Sequence, residues 1–125
     1  MPTWTTPATV PTLDHGTYTP SLTNGANMTS STAYVCQWMR VGNVVTVSGK
    51  VDVTLSAGGG SAVSITLPVA SNFTDESQAG GSFRGSISTA SGAAYADTTN
   101  DRIFLMGTYA TGSQSIWFTA TYLVA

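Results

Sequence analysis

The stretch Ala33 to Leu55, AYVCQWMRVGNVVTVSGKVDVTL, decides the fold. Successive side chains of a strand point to opposite faces, so Tyr34, Cys36, Trp38 and Arg40 share one side while Val35, Gln37, Met39 and Val41 share the other. Gly42-Asn43 then suits a two-residue hairpin turn, either type II′ with Gly42 supplying the positive φ or type I′ with both residues there. On the return, Val45, Val47, Gly49, Val51, Val53 and Leu55 fall on one face, and Val44, Thr46, Ser48, Lys50, Asp52 and Thr54 on the other. One face is core and one is wet, which predicts an antiparallel hairpin with a single buried side.

Working outward, turn signals recur about every ten residues from His15 and no window fits a 3.6-residue period. Gly58-Gly59-Gly60 breaks the chain before Val63, Ile65 and Leu67 alternate, and Pro68 stops that strand or places it at an edge. Ser71 to Gly81 reads as a polar loop. Phe83 and Ile87 mark the next strand, Ser91-Gly92 reads as a turn toward Tyr95, and Thr98 to Asp101 as another. Arg102 to Tyr109 and Ser115 to Val124, joined by residues 110–114, read as the closing pair. The expectation is an all-β, antiparallel β-sandwich, jelly-roll-like in its packing.

That closing pair is apolar on both sides. Ile103, Leu105 and Tyr109 oppose Phe104 and Met106, while Ile116, Phe118, Tyr122 and Val124 oppose Trp117 and Leu123. A two-layer sandwich buries one face of each strand, so the second face needs a cover. Self-association with Phe104, Met106, Trp117 and Leu123 at the subunit interface is the economical answer. The competing one is a strand covered by the N-terminal arm within a single subunit.

The arm is residues 1–14, MPTWTTPATVPTLD, in which Pro2, Pro7 and Pro11 keep the backbone extended. Trp4 and Val10 are its obvious anchors for docking, and residues 15–125 form the β domain. A chain of 125 residues holds one domain with one real core. Charged residues are only 8% of it, and Thr and Ser, at roughly 29%, take over the solvation of the surface. A net charge of −2 offers no basic field, which sets nucleic acid aside as a partner. No stretch approaches the roughly 18 apolar residues of a membrane span, so no membrane insertion is expected, and residues 1–10 lack the pattern of a signal peptide.

Candidate chemistry is sparse. His15, the only histidine, sits beside Asp14 with no second group to make an acid–base pair. Cys36 is the sole cysteine, which excludes an intrachain disulfide, and its place in an alternating strand reads as an inert buried thiol. Asp75 and Glu76 are adjacent, which does not set the separation a glycosidase needs. Asp97, Asn100 and Asp101 are the one oxygen-rich cluster with cation-like spacing, and they are equally ordinary turn residues. Gly58 to Ser61 is not followed by the Lys and helix of a phosphate loop. The reading is non-enzymatic, without cofactor, and the abundant resource is aromatic surface, which suits protein interfaces or sugar faces.

Particular residues also resemble a known family. The run Gly16-Thr17-Tyr18-Thr19-Pro20-Ser21-Leu22-Thr23-Asn24, then Ala33-Tyr34 and Gln37, then Arg40 to Gly49, RVGNVVTVSG, is similar to a small domain of tailed-bacteriophage virion proteins. So are Leu67 to Phe73, LPVASNF, and the closing Phe118 to Tyr122, FTATY. The resemblance spans about residues 15–125. It implies a compact β-sandwich, commonly trimeric, located in the virion with a structural or adhesive role. Members of that family often follow a long shaft, whereas here about 14 residues precede the domain. The expectation is therefore a virion surface protein docked directly on another virion component by its arm, as a capsid decoration or cement protein. The alternative is the receptor-binding tip of a tail fibre contacting a host cell-surface glycan.

Overall fold

The computed structural model describes residues 12–125, and they form ten antiparallel strands. These are β1 (Leu13–Tyr18), β2 (Leu22–Thr23), β3 (Met28–Ala33), β4 (Cys36–Val41), β5 (Val44–Leu55), β6 (Gly59–Ile65), β7 (Ala79–Gly85), β8 (Ser91–Asp97), β9 (Arg102–Tyr109) and β10 (Gly112–Leu123). One short 3-10 turn, Glu76–Gln78, precedes β7. The strands make a single curled sheet in the order β1-β4-β5-β10-β7-β8-β9-β6-β2. β3 lies beyond the end of β4 along the same side of β5, pairing with Val51 to Leu55 while β4 pairs with Val44 to Ser48. The fold is all-β and sandwich-like, as the alternation predicts.

The hairpin at Gly42-Asn43 forms with Val41 opposite Val44. Gly42 alone of the two takes a positive φ, of 61°, which selects the II′ turn. The whole expected inner face of β5, Gly49 apart, is buried: Val45, Val47, Val51, Val53 and Leu55. Its neighbour β10 matches it over the full length, Gly112 opposite Leu55 through Leu123 opposite Val44, and contributes Ile116, Phe118, Ala120 and Tyr122 to the same core. Cys36 lies beneath Gly49, where a Cβ would overlap its Sγ, so the glycine is there for close approach. The far half of the curl supplies Val63, Ile65, Ala94, Ile103, Leu105 and Tyr109. Phe83 of β7 stacks on Tyr109 of β9 with ring centroids 5.1 Å apart, linking strands that are not neighbours in the sheet.

Tyrosine hydroxyls tie connecting segments to the sheet. Tyr18 of β1 donates to the Thr66 carbonyl at 3.0 Å, joining one edge of the sheet to the segment leaving β6. Tyr122 is bonded to the backbone of Val69, and Phe73 meets its ring edge-on at 6.0 Å. The Asp101 carboxylate accepts the Phe73 N–H at 2.9 Å and so anchors the long connection after β6.

Several local expectations are corrected. β9 and β10 do not pair: β9 lies between β8 and β6, and β10 between β5 and β7, so the chain crosses from one part of the curl to the other between them. Ser91-Gly92 is not a turn but the start of β8, opposite Arg84 and Phe83. Ile87 lies beyond the end of β7, in the turn, and is exposed. Ser71 to Gly81 is not loop throughout, since Asp75 caps a 3-10 turn and β7 begins at Ala79. β1 begins at Leu13, so Leu13 and Asp14, drawn as the end of the arm, are ladder residues opposite Val41 and Arg40. The docking anchors Trp4 and Val10 lie outside the described residues.

Candidate functional site

The four residues expected at a subunit interface all point outward, because each alternates with a core residue. Met106 is 45% exposed, Trp117 50% and Leu123 39%, and Phe104 is half-buried. They do not form one patch. Strand order divides them among three places on the outer face.

The first place is a row across four strands. Leu13 of β1 stands opposite Val41 of β4, Val41 opposite Val44 of β5, and Val44 opposite Leu123 of β10. All four side chains are exposed, and at about 4.8 Å per strand the row is roughly 14 Å wide. Met39, two residues from Val41, is also exposed and extends it. Leu13, Val41 and Val44 were not among the expected interface residues. The signal for Val41 and Val44 lay in the sequence as a Val-Gly-Asn-Val turn with apolar residues on the wet face, whereas Leu13 joins them only through the pairing of β1 with β4.

The second place is Trp117. It is on β10, about 20 Å along the strand from Leu123. Its cross-strand neighbours are Lys50 on β5 and Arg84 on β7, so the indole stands between two cations. Lys50 also pairs with Asp52 at 3.8 Å and lies 4.2 Å from the centroid of the Tyr34 ring.

The third place is a groove of about 460 Å³ over β9 and β6. Phe104 and Met106 line it together with Ala62 and Ala26, and Asn24, Asn100 and Arg102 add polar groups. The Tyr95 ring lies 5.4 Å from that of Phe104, and its hydroxyl donates to the Met106 Sδ at 3.2 Å. Burial, then the nearby Glu76 and Asp97 carboxylates, raises the Tyr95 phenol above its usual pKa. The Arg102 guanidinium is engaged by the Thr23 hydroxyl. Asp97 and Arg102 are the charged residues lining this groove, and Glu76 lies in the adjoining cleft past Phe104.

The remaining candidates are placed as follows. Asp97 is buried, and its carboxylate accepts from the Thr99 and Asn100 N–H groups and from the Asn100 side chain. Asp101 is turned to Phe73 as described. The cluster thus closes the turn before β9, and among the described residues no three His, Cys, Asp or Glu side chains gather as a metal site. Asp75 accepts from Ser77 N–H in the capping box of the 3-10 turn, which holds its carboxyl below the ordinary range. His15 is exposed on β1, opposite Met39. Cys36 is fully buried and burial pushes its thiol up, which makes it a poor nucleophile.

The chain was compared with family models, curated proteins and solved structures, and none matches it. The reading of function rests on these surfaces and on the resemblance in the sequence.

Proposed function

We propose that the chain is a non-catalytic structural protein of the bacteriophage virion surface, a homotrimeric β knob docked on the particle through its N-terminal arm in the manner of a capsid decoration protein. The observation that supports docking is the exposed row Leu13–Val41–Val44–Leu123. The chain ahead of β1 enters the sheet at one end of that row, so arm and row can serve a single contact with another virion protein. The row offers a continuous apolar surface beside the Gly42-Asn43 turn at one end of the domain, the kind of patch that marks an interface. The virion assignment comes from the sequence resemblance over about residues 15–125. Many copies on one particle would add avidity to modest individual contacts.

Deletion of residues 1–11 tests it. The expected result is a folded oligomer that no longer occupies particles, and unchanged occupancy refutes the reading. Copy number separates it from a tail-fibre tip, since hundreds per particle mean capsid and a handful means tail.

A further inference from the structure

We propose that residues 1–11 fold across the exposed row of their own chain as a strap, with Trp4 seated in a cleft beyond Leu123. The row then has an occupant before the protein meets a particle. What displaces the strap rests on the docking reading above, whereas the strap itself does not.

The first argument is where the chain enters. Leu13 is the first member of the row, and the Thr12 carbonyl just ahead of it accepts the Gly42 N–H at 2.8 Å, so the ladder of β1 runs to the level of the turn. Doubling back along the free edge of β1 is closed to the residues before it. A two-residue turn at Pro11-Thr12 would need a positive φ that the proline ring forbids. The outward N–H of His15 is already held by the Asp14 carboxylate at 2.8 Å. The paths left lie straight past the hairpin or across the row, and only the second covers apolar surface.

The second argument is pattern and length. Trp4, Ala8 and Val10 all fall on even positions, while Thr and Pro hold the odd ones from 3 to 11, so an extended segment has one apolar side. Residues 1–11 carry no charged side chain, and covering the row with them buries none. From Val10 to Trp4 extended chain spans about 20 Å, and four strand spacings from β1 to β7 make about 19 Å. With Val10 over Leu13, Trp4 arrives between β10 and β7. There the outer face holds a cleft of about 430 Å³ lined by Val44, Leu123, Thr121 and Gly80. A Cβ on Gly80 would meet open space, and an indole buried in the cleft removes on the order of 200 Å² from water.

The third argument chooses the occupant. A short tether presents Trp4 to its own cleft at an effective concentration of order millimolar, far above that of a second copy in dilute solution. The same-chain contact therefore forms first. A particle that takes the arm uncovers the row in the same step, so free subunits keep their apolar surface closed until they dock.

The experiment uses the full chain, free of particles. Thr121→Cys puts one accessible thiol in the cleft, since Thr121 is exposed and Cys36 is buried. Its alkylation is timed alone and with Trp4→Asp or Val10→Asp added, and urea unfolding checks that each chain is folded. A covered thiol reacts only in the fraction of molecules whose strap is open. Trp4→Asp should therefore speed alkylation about tenfold or more, and Val10→Asp should act in the same direction. Equal rates with and without Trp4→Asp overturn the strap.

A cross-link tells whose arm it is. Thr5→Cys added to Thr121→Cys should close under mild oxidation into a disulfide within one chain, read as single-chain mass on a denaturing gel with no free surface thiol. Cross-linked chains would assign the cleft to the arm of a second copy and overturn the proposal, as would a pair that does not close. No particle enters either measurement, so a failed strap leaves the docking reading standing, and unchanged occupancy after deletion of residues 1–11 leaves the strap standing.

Discussion

Tyr122 and Val69 are bonded to each other twice. The phenol hydroxyl donates to the Val69 carbonyl at 2.7 Å and accepts the Val69 N–H at 3.1 Å, so one side chain of β10 satisfies both backbone groups of a residue in the loop after β6. That loop has no strand to pair with there. The hydroxyl takes the place of a ladder.

Tyr122→Phe should therefore cost more than one ordinary hydrogen bond, because it strands a donor and an acceptor together. A loss of about 1–3 kcal/mol is expected in urea unfolding, with the slope unchanged. An unchanged midpoint would show that water replaces the hydroxyl freely.

Alkaline pH should unfold the domain through its phenols. Burial pushes Tyr122 up to about 12, the Val69 bond opposing, and burial is also the leading cause of the raised values of Tyr18 and Tyr109. An unfolded tyrosine ionises near 10, so above that pH the unfolded chain releases protons that the native state keeps. The stability from these groups is complete below about pH 10 and is lost as pH rises through the native values. The urea midpoint should fall over that interval, with phenolate absorbance of the buried rings appearing only on unfolding. A flat midpoint across the interval would be the contrary result.

On the acid side the relevant group is Asp52. Its carboxylate accepts from the Tyr34 hydroxyl at 2.6 Å and the Ser115 hydroxyl at 2.7 Å, and these bonds, with Lys50 adding a smaller attraction, lower its pKa. Its contribution is present above the ordinary carboxylate value, near 3.9, and is lost as pH falls through the lower native value. Tyr34 is exposed, so solvent keeps the effect small. Asp52→Asn should make the acid limb of the pH–stability profile slightly shallower, the lowered Asp75 carboxyl keeping the rest of it, while leaving the alkaline limb intact; an acid limb of unchanged slope would be the contrary result.

Gly49→Ala should destabilise by about 1–3 kcal/mol through overpacking, since its methyl would overlap the Cys36 thiol. Cys36→Gly combined with it should recover part of the loss, a coupling that a double-mutant cycle in urea measures. Additive losses would place the strain elsewhere.

Val41→Lys together with Leu123→Lys should separate folding from docking. Both side chains are exposed, so the unfolding free energy is expected to stay within about 0.5 kcal/mol per substitution, while occupancy on particles falls. Normal occupancy with both lysines in place would remove the row from the interface.

The hairpin from Cys36 to Leu55 was legible from alternation and one Gly-Asn turn, and so were the inner faces of β9 and β10 down to Ile103, Leu105, Ile116 and Phe118. The outward direction of Phe104, Met106, Trp117 and Leu123 was legible for the same reason. Their grouping was not. Arg102 to Tyr109 and Ser115 to Val124 are consecutive in the chain and looked like a pair, yet two strands lie between them. Ser91-Gly92 looked like a turn because small polar residues serve in turns, and here Gly92 lies on the inner face, where a Cβ would run into the Phe83 ring.

Side-chain direction depends on a two-residue repeat within one strand, a local property that the amino-acid order specifies by itself. Which strands become neighbours depends on pairing between segments far apart in the chain, where the gain in burial must exceed the entropy of closing the loops between them. The sequence alone thus determined an all-β chain, the core face of its longest strands and the outward direction of Phe104, Met106, Trp117 and Leu123, while Phe73 and Ala79, buried within a stretch that reads as polar loop, were not legible. Only the tertiary structure decided that the outward set divides into a row, a knob and a groove, because only the order of strands around the curl brings Leu123 beside Val44 and carries Trp117 away from Met106.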